Sequence, residues 1–421
     1  MITGDFLFIK LQVKIDFLKF SPDWMGNSSA KGYTRPQRKF TSQCSLSNII
    51  SCTGTTELVY EECRPWSRIS RRTWSEGTLN DPLNSAKTAW PVPRFEAIFL
   101  PEFKVREEPI RIHYTFVEII SKGAYGRVYK VEDKKDKKIY ALKMISKSRI
   151  VEENAVSQAK QEVAIQRAVG HHPFIAHSVH HWQGRKTLYI LTEFVGGGEL
   201  FELVDEYVTL PEEVVRIYVA EIALAIDFLH NAGIVHRDIK ATNVLLDDDG
   251  HAVLIDFGLA KWLRPLHRTG TFCGTPEYMA PEILKREYYG HEVDWWSLGV
   301  LTCFLLTNKY PVTTIKEASD EDIDLEVVAG ILPEGIEISR ASEDLLRRLL
   351  QPDPRIRLKS ILELQRIAFF MGFNVRDFSL KEVSPFRFLG RKQPPHFTRK
   401  APDTFRDFDS FICGSTNRKW D

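Results

Sequence analysis

The sequence predicts an α+β architecture of two lobes in one compact unit, a small and mostly β lobe followed by a larger and mostly α lobe. Three patterns predict it. Alternation with strand period runs through Tyr114–Ile120 and Ile139–Ile145. Val215, Val219, Ile222, Ile226 and Leu229 step by four and three, which marks the buried face of a helix. The run Trp295–Leu306 is apolar almost all round, so its helix is expected to lie wholly inside.

Composition sets the bounds. A chain of 421 residues has room for two to three domain-sized units and a large core. With 57 Lys+Arg against 56 Asp+Glu the formal net charge is +1, which argues against a chain that coats nucleic acid or an anionic membrane. The six cysteines, Cys44, Cys52, Cys63, Cys273, Cys303 and Cys413, show no zinc-site spacing and are expected to be reduced thiols. The first twenty residues are apolar but interrupted by Asp5, Lys10, Lys14 and Asp16, with no cleavage site, so a signal peptide is not expected. Residue 2 is Ile, which removes the myristoylation signal. No eighteen uncharged apolar residues run together, so no transmembrane helix is expected. Cytoplasm is the expected location, with the nucleus second because of the basic clusters Arg35–Lys39 and Arg68–Arg72.

In order along the chain, residues 1–105 read as a largely flexible extension, polar and weakly periodic from Ser21 to Trp90. It ends in Trp90–Phe103, WPVPRFEAIFLPEF, expected to be an extended segment clamped onto a domain surface. Residues 106–388 form the compact unit, with lobes at about 106–192 and 196–388, and 389–421 form a tail.

After the strand Tyr114–Ile120 comes Ser121-Lys122-Gly123-Ala124-Tyr125-Gly126-Arg127-Val128. Glycines let backbone N–H groups approach phosphate oxygens because no Cβ intervenes. On the next strand, period two puts Ala141, Lys143 and Ile145 on one face, so a small residue can floor a purine while Lys143 reaches its phosphates. A lysine on an apolar face requires a partner, since burying it unpaired costs several kcal/mol. Glu162, in the helical stretch Val156–Ala168, is the candidate.

Ile234-Val235-His236-Arg237-Asp238-Ile239-Lys240-Ala241-Thr242-Asn243 is followed by Leu254-Ile255-Asp256-Phe257-Gly258 and later by Ala280-Pro281-Glu282. This resembles the eukaryotic protein kinase family, and the joint occurrence of the three motifs in order is highly specific. The resemblance covers about Tyr114–Phe388 and implies the bilobal protein kinase fold, with one regulatory helix in the N-lobe. It implies ATP and Mg²⁺, with Mn²⁺ as the alternative ion. Asp238 is then expected to accept the proton of the substrate hydroxyl and Lys240 to stabilise the moving γ-phosphoryl group. Asp256 and Asn243 supply hard oxygen ligands, and Lys143, oriented by Glu162, holds the α/β-phosphates. The loop residues Ser121, Lys122, Gly123, Ala124, Gly126 and Val128 cover the nucleotide. Thr192 stands at the back of the adenine pocket, Glu193-Phe194-Val195 is the hinge, and Glu199 sits at the pocket mouth.

Thr271-Phe272-Cys273-Gly274-Thr275-Pro276-Glu277-Tyr278 looks like the AGC group, named for the cyclic-nucleotide-dependent and C-type kinases. Lys240 with Thr275 favours Ser/Thr acceptors on protein substrates, and Thr271 occupies the phosphosite, a target for an upstream kinase. A phosphate there would pair with Arg237 and Lys261. Glu282 is expected to pair with Arg357, and Asp294 to brace the catalytic loop. In the tail, Phe405-Arg406-Asp407-Phe408-Asp409 resembles a hydrophobic motif whose two rings enter a pocket beside the helix of Glu162, with Asp409 as a built-in negative charge. WPVPRFEAIFLPEF is most similar to the ribosomal-protein S-six kinase-related subfamily. The chain is expected to be monomeric and not to bind nucleic acid.

Four departures stand out. Ser121 replaces the first loop glycine, which is expected to raise KM for ATP. Gln166 lies where the family carries an apolar residue stacking towards Phe257, and Gln158 replaces a loop-phosphate His of some relatives. Thr242 and Phe304 replace acids that read an arginine two residues before the acceptor, so only Glu199 remains to read one three residues before it. Ser121 and Gln166 motivate the alternative of a pseudokinase scaffold, which intact Lys143, Asp238, Asn243 and Asp256 oppose. A P-loop NTPase is excluded because no G-x-x-x-x-G-K-Ser/Thr run exists.

Overall fold

The computed structural model describes residues 94–390, apart from 107, 124–125, 265 and 317–325. The expectations for the extension before residue 94, for Ala124 and for the tail rings Phe405 and Phe408 lie outside the described residues.

Strands β1 (Lys104–Val105), β2 (Tyr114–Lys122), β3 (Gly126–Asp133), β4 (Ile139–Ser146), β5 (Ser178–Gln183) and β6 (Thr187–Glu193) form one sheet in the order β1-β5-β6-β4-β3-β2. The β2–β3–β4 meander and the β4–β6 and β5–β6 pairs are antiparallel, while β1 joins β5 in parallel. One apolar cluster of the sheet gathers Tyr114, Tyr129, Val131, Leu142, Trp182 and Leu191, with the Trp182 ring stacked between Tyr114 and Tyr189. A second cluster joins Ile145, Leu188 and Ile190 to the helices α2 (Lys147–Glu152) and α3 (Val156–Val169). Alternation along β4 sorts the residues: Leu142 belongs to the first cluster and Ile145 to the second.

The expected clamp is present, but it is coiled rather than extended. Residues Arg94–Ala97 form a single helical turn, α1, and the chain then folds back through Phe99 N–H to Glu96 C=O and Phe103 N–H to Phe99 C=O hydrogen bonds. Phe95, Phe99 and Phe103 recur every four residues, and neighbouring rings meet edge to face at 6.3 and 6.5 Å. Phe99 and Phe103 are both 0% exposed and complete the cluster of α2 and α3. Burying a Phe side chain stabilises by about 1.5–3 kcal/mol, against under about 1 kcal/mol for a partly exposed ion pair such as Lys160–Glu102 at 2.8 Å. The two rings therefore hold this strap, and the ion pair only registers it. Short helix α2 is an addition to the single small-lobe helix that the sequence predicts.

The large lobe is built on α4 (Leu200–Tyr207), α5 (Glu212–Asn231), α6 (Pro281–Leu284), α7 (Glu292–Thr307) and α8 (Arg340–Leu349). Helix α5 buries Val215, Val219, Ile222, Ile226 and Leu229, the residues whose spacing announced it. Helix α7 is buried without a break from Val293 to Leu305, as its all-round apolar sequence requires. Two short pairs carry the active-site loops, β7 (Ile234–Val235) with β10 (Lys261–Trp262) and β8 (Val244–Leu246) with β9 (Ala252–Leu254). A further hairpin, β11 (Val312–Lys316) with β12 (Glu326–Ile331), breaks the helical pattern of this lobe. Glu282 and Arg357 meet in a bidentate pair at 2.7 and 2.9 Å, both buried. After the lobe closes, Phe386 packs onto Gly250, whose φ of +87° and lack of room for a Cβ both require glycine.

Candidate active site

Strand β4 and helix α3 bring Lys143 and Glu162 together, with Lys143 Nζ 2.6 Å from Glu162 Oε1 and 3.4 Å from Asp256 Oδ1. Burial pulls the Lys143 ammonium down, yet the two carboxylates outweigh it and its pKa lies above the ordinary lysine value. Asp256 is held below the usual carboxylate range, chiefly by the Lys143 charge and also by the Gly258 N–H, so it is ionised at neutral pH. Asp256 has φ +60°, a left-handed conformation rare outside glycine, which the Lys143 contact and the Gly258 N–H at 3.2 Å help hold. Phe257 beside it is buried and meets the fully buried His236 ring edge to face at 5.1 Å.

At the loop after β2, Gly123 and Gly126 are glycine for different reasons. A Cβ on Gly126 would fall 1.8 Å from the Met144 carbonyl oxygen, so close strand packing demands glycine there. A Cβ on Gly123 would meet nothing nearer than 3.9 Å, so Gly123 leaves open space above the cleft. Ser121 pairs with Val128 inside the ladder, and both Ser121 and Lys122 are exposed. Val128 lies opposite Lys143 across β3–β4, and Ala141 lies opposite Thr192 across β4–β6. The Thr192 hydroxyl donates to Ala141 C=O at 3.5 Å. The Glu193 carboxylate accepts from His177 N–H at 2.9 Å, and the Glu193 N–H donates to His177 C=O at 3.1 Å, tying this residue to the chain entering β5. Glu199 caps α4 in a reciprocal arrangement with Glu202, a structural duty that the sequence reading did not give it.

Across the cleft, Asp238 and Asn243 are fixed by a dense network. Asn243 Nδ2 donates to Asp238 Oδ2 at 2.8 Å and to its C=O at 2.9 Å, which turns the amide oxygen of Asn243 the other way. Asn243 C=O accepts from Ile255 N–H at 2.9 Å, tying it to the residue before Asp256. Lys240 Nζ lies 2.8 Å from Asp238 Oδ2 and 2.8 Å from Thr275 Oγ1, and the Thr275 hydroxyl donates to Asp238 Oδ1 at 2.7 Å. Below the loop, Asp294 accepts from the N–H groups of His236 and Arg237 and from His230 Nε2, each at 2.8 Å. Burial would raise the Asp294 carboxyl, but these bonds outweigh it and hold its pKa below the usual range. A carboxylate so paired braces Arg237, whose φ is +70°. The network is a set of fixed donors, acceptors and charges, which suits a reaction governed by positioning and charge neutralisation.

The protein kinase domain model matches residues 114–370. The chain belongs to the protein kinase family. It is similar to the human ribosomal protein S6 kinase-related protein, 36% identical over 325 residues that cover 76% of this chain and 77% of that one. A serine/threonine-protein kinase of Caenorhabditis elegans is 38% identical over 321 residues, covering 75% and 71%. A RAC family serine/threonine-protein kinase homolog of Dictyostelium discoideum is 37% identical over 278 residues, covering 65% and 61%. The kinase is accordingly a serine/threonine protein kinase of the AGC type that uses ATP, a divalent metal ion and protein substrates. No described helix is long and apolar enough to cross a membrane.

In the kinase the segment after Asp256 lies against the catalytic loop. Arg237 Nε donates to Leu259 C=O at 2.7 Å, and Arg237 Nη1 lies 3.3 Å from the Tyr289 hydroxyl, which donates to Thr271 C=O at 2.6 Å. Lys261 Nζ reaches Thr269 Oγ1 at 2.9 Å, and Thr269 Oγ1 is 3.3 Å from the exposed Thr271 Oγ1. Gln158, expected only as the loss of a histidine, has a bond of its own: its amide donates to Gly258 C=O at 2.7 Å, tying α3 to the segment of Asp256. Gln166 is buried on the same helix. Phe99 and Phe103 of the strap lie buried with Ala159 and Val163 of α3, while the expectation that tail rings enter a pocket beside this helix lies outside the described residues. No sequence signal marked Lys160 or Gln183 as holders of the site, and Gln158 stood out only as a departure from relatives, because the bonds of all three to the site end on backbone carbonyls.

Proposed function

We propose that the kinase transfers the ATP γ-phosphate to a protein Ser or Thr hydroxyl with Asp238 as proton acceptor and Lys240 at the transferring group. The observation that carries this reading is the Thr275 hydroxyl donating to Asp238 Oδ1 at 2.7 Å with Lys240 Nζ at 2.8 Å from both residues. A hydroxyl already hydrogen-bonds the carboxylate that would accept the substrate proton, and an ammonium stands beside it. The charged and amide oxygens of Asp256 and Asn243 suit a hard cation, and we assign them to Mg²⁺. When bound, that ion neutralises phosphate charge. Lys143, fixed by Glu162, orients the nucleotide phosphates, Ala141 and Thr192 line the adenine side, and the backbone of Glu193 and Val195 reads adenine.

Arg237 and Lys261 lie close enough to the Thr271 neighbourhood to support phosphorylation of Thr271 by an upstream kinase as an ordering event. Phe304, stacked on Tyr310 at 5.0 Å, and Thr242 offer no carboxylate, which supports a substrate choice indifferent to Arg two residues before the acceptor. The kinase acts as a monomer in the cytoplasm on this reading.

The test is γ-phosphate transfer to a generic basic peptide by wild type and Asp238→Asn, each with Mg²⁺ and with chelator. Wild type should transfer at least about 10³ times faster than the variant, as for loss of a general base in a positioned site. Equal rates would replace this reading with the scaffold.

A further inference from the structure

Helix α3 carries half of the ion pair that orients the nucleotide; its C-terminal half is fixed by Ile165 and Val169 in the large core, while its first turns have no such anchor of their own. It has fourteen residues, its N-cap is Ala155, and no side chain caps it. A helix of that length is marginal in isolation and depends on what packs against it. On the side away from the cleft, its packing is shared by the strap with Ile150 of α2 and with Ile145, Leu188 and Ile190 of the sheet. Phe99 and Phe103 share one buried cluster with Ala159 and Val163 of α3 and with Ile145, which stands two residues from Lys143 on β4.

The strap is anchored at both ends and from three elements. Lys160 of α3 donates to Leu100 C=O at 2.5 Å and pairs with Glu102 at 2.8 Å. Gln183 of β5, itself 0% exposed, donates to Glu96 C=O at 3.1 Å and Phe103 C=O at 2.6 Å. Lys147 of α2 is fully buried, with its ammonium 5.4 Å from the Phe95 ring centre and 5.3 Å from that of Phe99. Val105 continues as the edge strand beside Gln183. Three polar side chains thus bind main chain or rings of a segment that lies upstream of every catalytic motif.

We propose that the strap Arg94–Phe103 is a built-in positioning element of this kinase, which fills the groove beside α3 with Phe99 and Phe103 and so holds Glu162 against Lys143. The groove's occupant is a segment of the same chain already in place, so the ion pair forms without an added partner. Phe99, Phe103, Lys160 and Gln183 act through Glu162 and are positioning residues, none of them touching nucleotide or acceptor. The inference rests on the phosphotransfer reading above.

The experiment is steady-state phosphotransfer by the full-length kinase carrying Phe99→Ala with Phe103→Ala, alone and combined with Glu162→Gln. The pair of substitutions should lower kcat about 100-fold, the scale of a small misplacement of a catalytic constellation. In the Glu162→Gln background the same substitutions should cost less than about 2-fold, since a group that acts through Glu162 has nothing left to position. Equal losses in both backgrounds would overturn the proposal. Should the double substitution prevent folding, Lys160→Met loosens the strap at a partly exposed anchor. It should reduce kcat several-fold in wild type and leave the Glu162→Gln rate unchanged. An inactive wild type would fail the phosphotransfer reading, whereas an active wild type indifferent to Phe99→Ala and Phe103→Ala would fail the strap alone.

Discussion

Among the acid–base pairs that link distant segments of the kinase, two, one in each lobe, are built to opposite specifications. Glu282 and Arg357 in the large lobe are bidentate and 4% and 0% exposed, with Arg357 donating also to the carbonyls of Gln351, Pro352 and Glu292. Lys143 and Glu162 in the small lobe share one contact at 2.6 Å, and the Lys143 side chain is 33% exposed to the cleft. The first pair has every donor used inside rigid structure, so it is fastened for good. The second joins a sheet to a helix seated on a separate strap, so it holds only while α3 is pressed home. Saturation of the guanidinium distinguishes structural pairing from pairing that can be gained or lost.

The largest effect is expected from the fastened pair. Arg357→Ala leaves Glu282 buried without its partner and should destabilise the kinase by about 3–5 kcal/mol. Calorimetry would show it as a drop in Tm, while kcat measured on the folded fraction at low temperature stays within about 2-fold of wild type. A lost kcat at unchanged Tm would reverse the assignment of the two pairs.

Next in size is the movable pair. Glu162→Gln removes the charge but keeps the shape of the side chain, and should lower kcat/KM for ATP by about 10–100-fold, or roughly 1.4–2.7 kcal/mol of transition-state stabilisation. Its Tm should move by no more than about 2 °C, because the substitution relieves a carboxylate whose burial already pushes its pKa up against the pull of Lys143. A Tm loss as large as that of Arg357→Ala would make the two pairs alike and remove the contrast.

This contrast also explains what could be read in advance. Asp238, Lys240, Asn243 and Asp256 were legible because the chemistry needs particular side chains close together along the chain. Glu162 was legible because a lysine on an apolar strand face needs a carboxylate, and one helix nearby offered it. The hydrogen bonds of Lys160, Gln183 and Gln158 left no pattern, since they end on carbonyls of Leu100, Glu96, Phe103 and Gly258 that any residue would supply. The aromatic repeat of the strap was visible, but its fourfold spacing fits a turn of helix, and the prolines around it argued for an extended chain. The hairpin of β11 and β12 interrupts an otherwise helical stretch and had no strong alternation to announce it.

The smallest effect concerns the cation under the strap. Burial holds the Lys147 pKa down at about 8, with the Glu96 charge opposing, and its Nζ has no hydrogen-bond partner among the described residues. An unfolded lysine titrates near about 10.4, so between pH 8 and that value the unfolded chain binds more protons than the folded one. The Lys147 contribution to stability therefore rises with pH across that window and is least favourable below it, where the buried ammonium stays charged. Lys147→Met fills similar space without a charge. The lost attraction to the Phe95 and Phe99 rings is about 0.5–1 kcal/mol, less than the cost of keeping an unpaired ammonium dry. Denaturant titration should find the variant more stable than wild type at pH 7 by about 1 kcal/mol, with the advantage shrinking by pH 10. Taking the difference between the two proteins at each pH removes the tyrosines and cysteines that titrate in the same range. A variant less stable at pH 7 would mean that the attraction of the ammonium to the Phe95 and Phe99 rings outweighs the cost of burying it unpaired, which would place Lys147 with Arg357 among the fastened charges.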